Sequence, residues 1–283
     1  MIHKNTRFWI QAGLIFVGFF VLFFRTLSGL VSDWSSDPNF SHGFLIPVIF
    51  LYMVWYKKDQ LRKIPIQPSR IGLGIIILGL LVHVAANIGA ELFMMRFSMV
   101  ITLSGIIIYA LGISMFKAVL IPVAYLILMI PIPAILWNQV AFPLQLLAAK
   151  LSAGMIAWIG IPVYREGNIL HLAVTSLEVV DACSGLRSLT SLLALTGIFA
   201  YMAPLSVVKK WVLFFSAVPI AVAVNVIRLT VTGAMAVWIS PDTAHGFLHD
   251  MSGLIIFGAA LVLVYLVFII ELKLENRQTG KQS

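Results

Sequence analysis

The chain has 283 residues, of which 61% are hydrophobic and only 11% charged, and its formal net charge is +8. An ordinary soluble domain is about 45–50% apolar and about 25% charged, so this chain lacks the polar residues to cover a water-facing surface, and a soluble domain is excluded. Nucleic-acid binding is excluded too: the basic residues sit in short clusters between apolar runs, as in KKDQLRKIPIQPSR at 57–70, where the cytoplasmic loops of membrane proteins carry them.

Crossing the hydrocarbon core takes about 20 apolar residues. In chain order the runs that reach or approach this length are 8–30, 43–56, 71–90, 97–116, 118–136, 185–203, 211–233 and 252–271. The first follows His3, Lys4 and Arg7 in the manner of a signal peptide, but no small-x-small cleavage site follows it, so an uncleaved span is expected. The second is short, and the SHGF turn before it would extend it. Pro219 in the seventh removes a backbone donor and is expected to kink the helix. The predicted fold is an all-α polytopic membrane protein of about eight transmembrane helices, one integral membrane domain over 1–283 with a short tail at 272–283.

Lys and Arg asymmetry orients the spans. The 57–70 loop, the 204–210 loop with Lys209 and Lys210, and the tail with Lys273, Arg277 and Lys281 are expected on the cytoplasmic side, together with the amino terminus. The loops at 32–41 and 240–250 hold no Lys or Arg and are expected to face outward. That scheme closes only if the moderately apolar stretch 138–160 does not cross. With Gln139, Pro143, Gln145 and Lys150, it suits an interfacial helix lying flat on the outer side. Residues 161–182 then form an outward segment, and the partly alternating, β-branched NILHLAVTSLEVV within it predicts a short hairpin.

Three chemically capable residues fall toward the outer face. Cys183 lies in VVDACSGLRSL where the outward segment enters the sixth span, Arg228 in NVIRLTVTG, and His249 in FLHDMSG at the start of the eighth span. Most lone cysteines are small buried hydrophobes. Here, however, Ser184 and Gly185 follow at a predicted helix start, where backbone N–H groups and the helix dipole favour a thiolate. Arg228 sits in an apolar helix, where a charge is expensive and usually marks function. It either snorkels or pairs with Asp181 or Glu178, or it holds a substrate carbonyl or oxyanion; permanently charged, it is no general base. His249 suits proton transfer near neutral pH, and His245 four residues earlier rivals it. Arg187, four after Cys183, either lowers the thiol pKa or anchors the helix start. His42 in SHGFLIP faces the same side. His83, His171, Glu91 and Arg96 read as structural or interfacial, and Asp33, Asp37 and Asp242 as solvated loop residues. With one cysteine there is no intramolecular disulfide. No His or carboxylate pair has metal-ligand spacing and no phosphate-binding glycine loop appears, so neither metal nor cofactor is expected.

These blocks resemble the exosortase family, related to the archaeosortases. The resemblance covers most of the chain: SHGFLIP at 41–47, the MIPIP…PLQLLAAKLSA run at 129–153, GIPVYREGNIL at 160–170, and most densely EVVDACSGLRSL at 178–189, NVIRL at 225–229 and HDMSGLIIF at 249–257. It implies a membrane-embedded cysteine protease or transpeptidase of the bacterial inner membrane, with a Cys–Arg–His constellation falling on Cys183, Arg228 and His249. Arg187, Ser184, Gly185, His245, Asn225 and His42 would support it. It further implies exported protein substrates that end in a Pro-Glu-Pro-like motif, a membrane helix and a basic tail, with the lipid bilayer as medium and a surface glycan or lipid as the acceptor if the acyl group is transferred. The chain ends soon after its last span, so no fused carboxy-terminal domain is expected. Two readings from other classes compete. One is a transporter or flippase binding an anionic solute through Arg228 and His249; the other is an intramembrane serine protease using Ser184.

Overall fold

The computed structural model describes residues 13–179, 186–241 and 247–279, and at 186–188, 247–252 and 278–279 the backbone alone. Among these residues six helices are long and apolar enough to cross a membrane, or seven if one bent pair is a single span. The all-α polytopic class holds, whereas the expected eight spans are not reached by length and composition. The chain divides into two compact units, Met1–Pro133 and Ala134–Ser283.

In the first unit, α1 (Gly13–Leu22) and α2 (Phe24–Ser36) meet at a 59° bend. A 3-10 helix, Pro38–Phe44, follows. Asp37 opens it by accepting a 2.8 Å hydrogen bond from Asn39 N, with Pro38 in the first position, where a missing N–H does no harm. It leads into α3 (Leu45–Tyr56), the short α4 (Lys58–Leu61), α5 (Ile71–Ile88), α6 (Leu92–Leu111) and α7 (Ile113–Tyr125). Helices α5 and α6 pack closely because Gly72 and Gly105 present no side chain; a Cβ on either would run into the backbone of the opposite helix. Glu91 caps α6, accepting from Phe93 N (3.2 Å) and Met94 N (2.6 Å). Gly112 joins α6 to α7 at φ +98°, a conformation that favours glycine.

Two expectations for this unit are corrected. The stretch 32–41 is not an open loop: α2 continues to Ser36, and Asp33 on it, partly exposed, pairs at 2.7 Å with Arg96 of α6. Nor is 118–136 one crossing helix. The α-helix stops at Tyr125, tightens into a 3-10 turn over Leu126–Met129, and Ile130 is extended. The cause lies in the MIPIP sequence, because a proline pushes the residue before it out of helical geometry and Ile130 precedes Pro131. Carbonyls freed at such a break need partners in apolar surroundings. Trp34 Nε1 donates to Met129 O (3.0 Å), and His42 Nε2 reaches Leu128 O (3.1 Å).

The second unit contains α8 (Ala134–Trp158), strands β1 (Val163–Glu166), β2 (Ile169–Leu172) and β3 (Ser176–Glu178), then α9 (Leu186–Met202), α10 (Val207–Trp238) and α11 (Phe247–Thr279). The hairpin expected in 161–182 is present and extended by a third strand, giving an antiparallel sheet of order β1-β2-β3. Val163 stands opposite Leu172, and Leu170 opposite Leu177. Alternation gives this sheet an inner face of Leu170, Leu172 and Leu177, which packs with Ile156 of α8 and with Val226 and Leu229 of α10. Helix α10 runs unbroken across Pro219. At its start Lys209 pairs with Glu275 near the end of α11 at 2.7 Å, so these two helices are antiparallel neighbours with their basic ends together.

The flat placement expected for 138–160 is not what the length and packing of α8 favour. Helix α8 has 25 residues, about 37 Å at 1.5 Å per residue, against a hydrocarbon core of about 30 Å. It runs beside α10 in the same direction. Ala141 shares a buried cluster with Leu213, Ser152 Oγ donates to Val226 O (3.4 Å), and Ile156 lies against Gly233. A helix parallel to a span over that length is itself long enough to cross and does not lie across the bundle.

Candidate functional site

Helix α10 carries the central charge. Its interior is apolar, yet Asn225 and Arg228 stand one turn apart on it, 2% and 8% exposed, and residues three apart share a helix face. Thr230 Oγ1 donates to Val226 O at 2.8 Å, the same carbonyl that Ser152 Oγ reaches from α8. The two buried hydroxyls of this region are therefore both spent on one backbone oxygen. The Asn225 amide nitrogen is buried with no hydrogen-bond partner among the described residues. Arg228 makes interactions of its own. From Lys210 to Arg228 the helix rises about 27 Å, so Arg228 lies toward the end of the unit opposite the Lys209–Glu275 pair.

That same end is where the other expected residues belong by chain connectivity. Val179 closes β3 and is fully buried in the cluster that holds Val226 and Leu229. Its N–H donates to Asn168 O (2.9 Å), and Asn168 Nδ2 donates back to Val179 O (3.3 Å). Asn168 sits in the tight β1–β2 turn beside Gly167, whose φ of +60° needs a glycine; Arg165 Nη1 donates to Gly167 O at 2.7 Å. Seven residues after Val179, α9 begins at Leu186, and its Leu189 and Leu192 join Ala221 and Val224 of α10 in a second buried cluster. Both flanks of the 180–185 segment thus share buried clusters with α10 residues that neighbour Asn225 in the helix.

Cys183, Ser184, Gly185 and His245 lie outside the described residues. Arg187 falls in the first turn of α9 and His249 in the first turn of α11 by backbone alone. His42 belongs to the first unit, where its ring holds the Leu128 carbonyl. The residues read as structural or interfacial make local contacts: Glu91 is a helix cap, His83 Nδ1 bonds Ser98 Oγ at 3.2 Å, and His171 bonds Ser176 across the β2–β3 pair (2.9 Å) and lies 3.4 Å from Glu166 of β1. Asn168 was visible in the sequence only as part of GNIL; its grip on Val179 required the sheet register. Among the described residues no group of His, Cys, Asp and Glu could hold a metal ion.

Residues 34–266 match the family model described as transmembrane exosortase. No curated protein matches the chain, and no solved structure does.

Proposed function

The chain belongs to the transmembrane exosortase family, and from that premise we propose that it is a membrane-embedded cysteine peptidase or transpeptidase with Cys183 as nucleophile, His249 as proton carrier and Arg228 as the charged donor. The substrates are exported proteins ending in a Pro-Glu-Pro-like motif, a membrane helix and a basic tail. The enzyme works in the bacterial inner membrane with both termini cytoplasmic and the site toward the outer face.

The observation that carries this reading is that the two flanks of the Cys183 segment belong to the two buried clusters that hold the residues of α10 on either side of Asn225. Extended chain covers at most about 3.3–3.6 Å per residue. Cys183 is four residues from Val179 and three from Leu186, so chain length alone keeps it close to both anchors. His249 enters α11 at that same end, seven residues before Ile256, which packs on the cluster of Ala221 and Val224.

In the first half-reaction the imidazole of His249 takes the Cys183 proton, and the sulfur bonds to the scissile carbonyl carbon. The carbonyl π pair moves to oxygen, where Arg228 and N–H groups near Ser184 and Gly185 stabilise it. Collapse restores the carbonyl and breaks the C–N bond, and the departing amine takes the proton from His249. In the second half-reaction water or an acceptor amine attacks the thioester and the thiol is regenerated. Arg187 lowers the thiol pKa, and His245 is the alternative proton carrier.

The test is co-expression with a reporter ending in such a signal, its size followed by immunoblot. Wild type should shorten the reporter, and Cys183→Ala should insert normally and leave it intact. Processing by Cys183→Ala at the wild-type rate would remove the cysteine mechanism.

A further inference from the structure

We infer that the Asn225 amide is a second hydrogen-bond donor to the scissile carbonyl of the bound peptide, so that the developing oxyanion is held by one charged and one neutral group from a single turn of α10. The inference rests on the peptide-processing reading above and gives Asn225 a role within it.

The starting point is an anomaly of hydrogen bonding. Asn225 is 2% exposed, and its Nδ2 has no hydrogen-bond partner among the described residues. Nearly all buried polar groups in folded proteins are paired, and an unpaired one calls for a specific explanation. The local polar network does not include it: Thr230 and Ser152 both bond the Val226 carbonyl. Helix stability does not ask for it either, because asparagine is a poorer helix former than leucine or alanine. Among the Val, Ala and Ile residues that flank it at 220–227, an amide left without an acceptor is a group waiting for one.

Its position and chemistry say which acceptor. Asn225 stands one turn before Arg228 on the same face of α10, between Val224, which shares a buried cluster with Leu189 and Leu192 of α9, and Val226 and Leu229, which share one with Val179. A neutral N–H brings no charge to offset a resting carboxylate, which would be drawn to Arg228 instead. What the amide fits is a carbonyl oxygen, which accepts weakly as an ester or amide and strongly once negative charge develops on it. A donor of this kind acts on the transition state more than on the bound substrate. It touches the reacting oxygen when the S–C bond forms, and it releases the restored carbonyl when the C–N bond breaks. No proton leaves the amide in either step.

The experiment uses the full chain in proteoliposomes with the signal-bearing reporter, comparing wild type, Asn225→Leu, Asn225→Asp and Cys183→Ala. Removing one preorganised oxyanion donor slows turnover by roughly 100–1,000-fold. Asn225→Leu is expected to insert, to keep or raise the thermal unfolding midpoint, and to lose kcat by that factor with KM little changed. Asn225→Asp preserves the shape but turns an acceptor toward the oxygen, and is expected to be at least as slow. Full turnover in Asn225→Leu would overturn the inference, and so would a lowered unfolding midpoint with turnover falling in step with inserted protein, since the amide would then be a structural group. The Cys183→Ala arm separates the two levels. Cleavage by that variant removes the cysteine reading beneath, whereas an inactive Cys183→Ala beside an active Asn225→Leu removes the role of Asn225 alone.

Discussion

Asn168 and Val179 hold each other by two reciprocal hydrogen bonds, the backbone one at 2.9 Å and the side-chain one at 3.3 Å. The clamp fixes where the chain leaves the sheet, four residues before Cys183. Asn168→Ala removes the side-chain bond, worth about 1 kcal/mol, and should slow reporter processing about five-fold. Asn168→Asp loses the donor but not the size and should fall equally. Iodoacetamide labelling of the lone cysteine gives a second readout. Unchanged processing and labelling in both variants would show that the turn does not position the segment.

The Asp33–Arg96 pair should respond asymmetrically to mutation. The Arg96 side chain is 5% exposed and that of Asp33 38%. Asp33→Ala strands a buried guanidinium, and loss of a bond to a charged group costs about 1.5–3 kcal/mol. Arg96→Met leaves a carboxylate that water can still reach, and should be the milder change. Thermal unfolding in detergent of both single variants and the double variant checks this ordering, and equal losses would contradict it.

The α5–α6 hairpin should fail at Gly105. A Cβ there meets backbone and side-chain atoms of Ile76 at 2.7–2.9 Å, and backbone does not yield as a flexible side chain would. Overpacking of this kind costs about 1–3 kcal/mol. Gly105→Val should lower the unfolding midpoint clearly, while Gly74→Val, with nothing within 4 Å of its Cβ, should be near neutral.

The crossing of α8 can be read by accessibility. In a Cys183→Ala background, single cysteines at Ile135 and at the exposed Tyr164 flank the helix. A membrane-impermeant maleimide added to intact cells should label the second and spare the first. Labelling of both would return the 134–158 segment to the outer surface.

Much of the architecture was legible as hydropathy: the apolar runs that became α5, α6, α10 and α11 are plain in the residues, and the hairpin at 169–178 followed from alternation. What hydropathy could not show was backbone geometry inside an apolar run. Residues 118–136 are apolar enough to pass as a span, and only the two prolines of MIPIP signalled that the helix stops at Tyr125. The parity argument that laid 138–160 flat counted whole runs as single helices, and a run that changes from α-helix to 3-10 turn to extended chain does not reveal that in its hydropathy. The Asp33–Arg96 pair was missed because nothing local links a polar stretch before one span to an arginine inside another. At the candidate site the residue types announced their chemistry, but the state of Asn225 did not, since whether an amide is satisfied depends on neighbours from other helices.

The 27 Å rise between Lys210 and Arg228 has a consequence for the fate of the product. With Lys210 at one headgroup layer, Arg228 reaches the other, so on the proposed reading a peptide bond presented to it would be cut at the rim of the bilayer. On the proposed reading, the exported half leaves into water and the other fragment stays dissolved in lipid as a short anchored helix. It can depart only by sideways diffusion in two dimensions. Turnover would then depend on how crowded the membrane is and on what degrades such stubs, and a cell short of that clearance would slow its own sorting without any change in this protein.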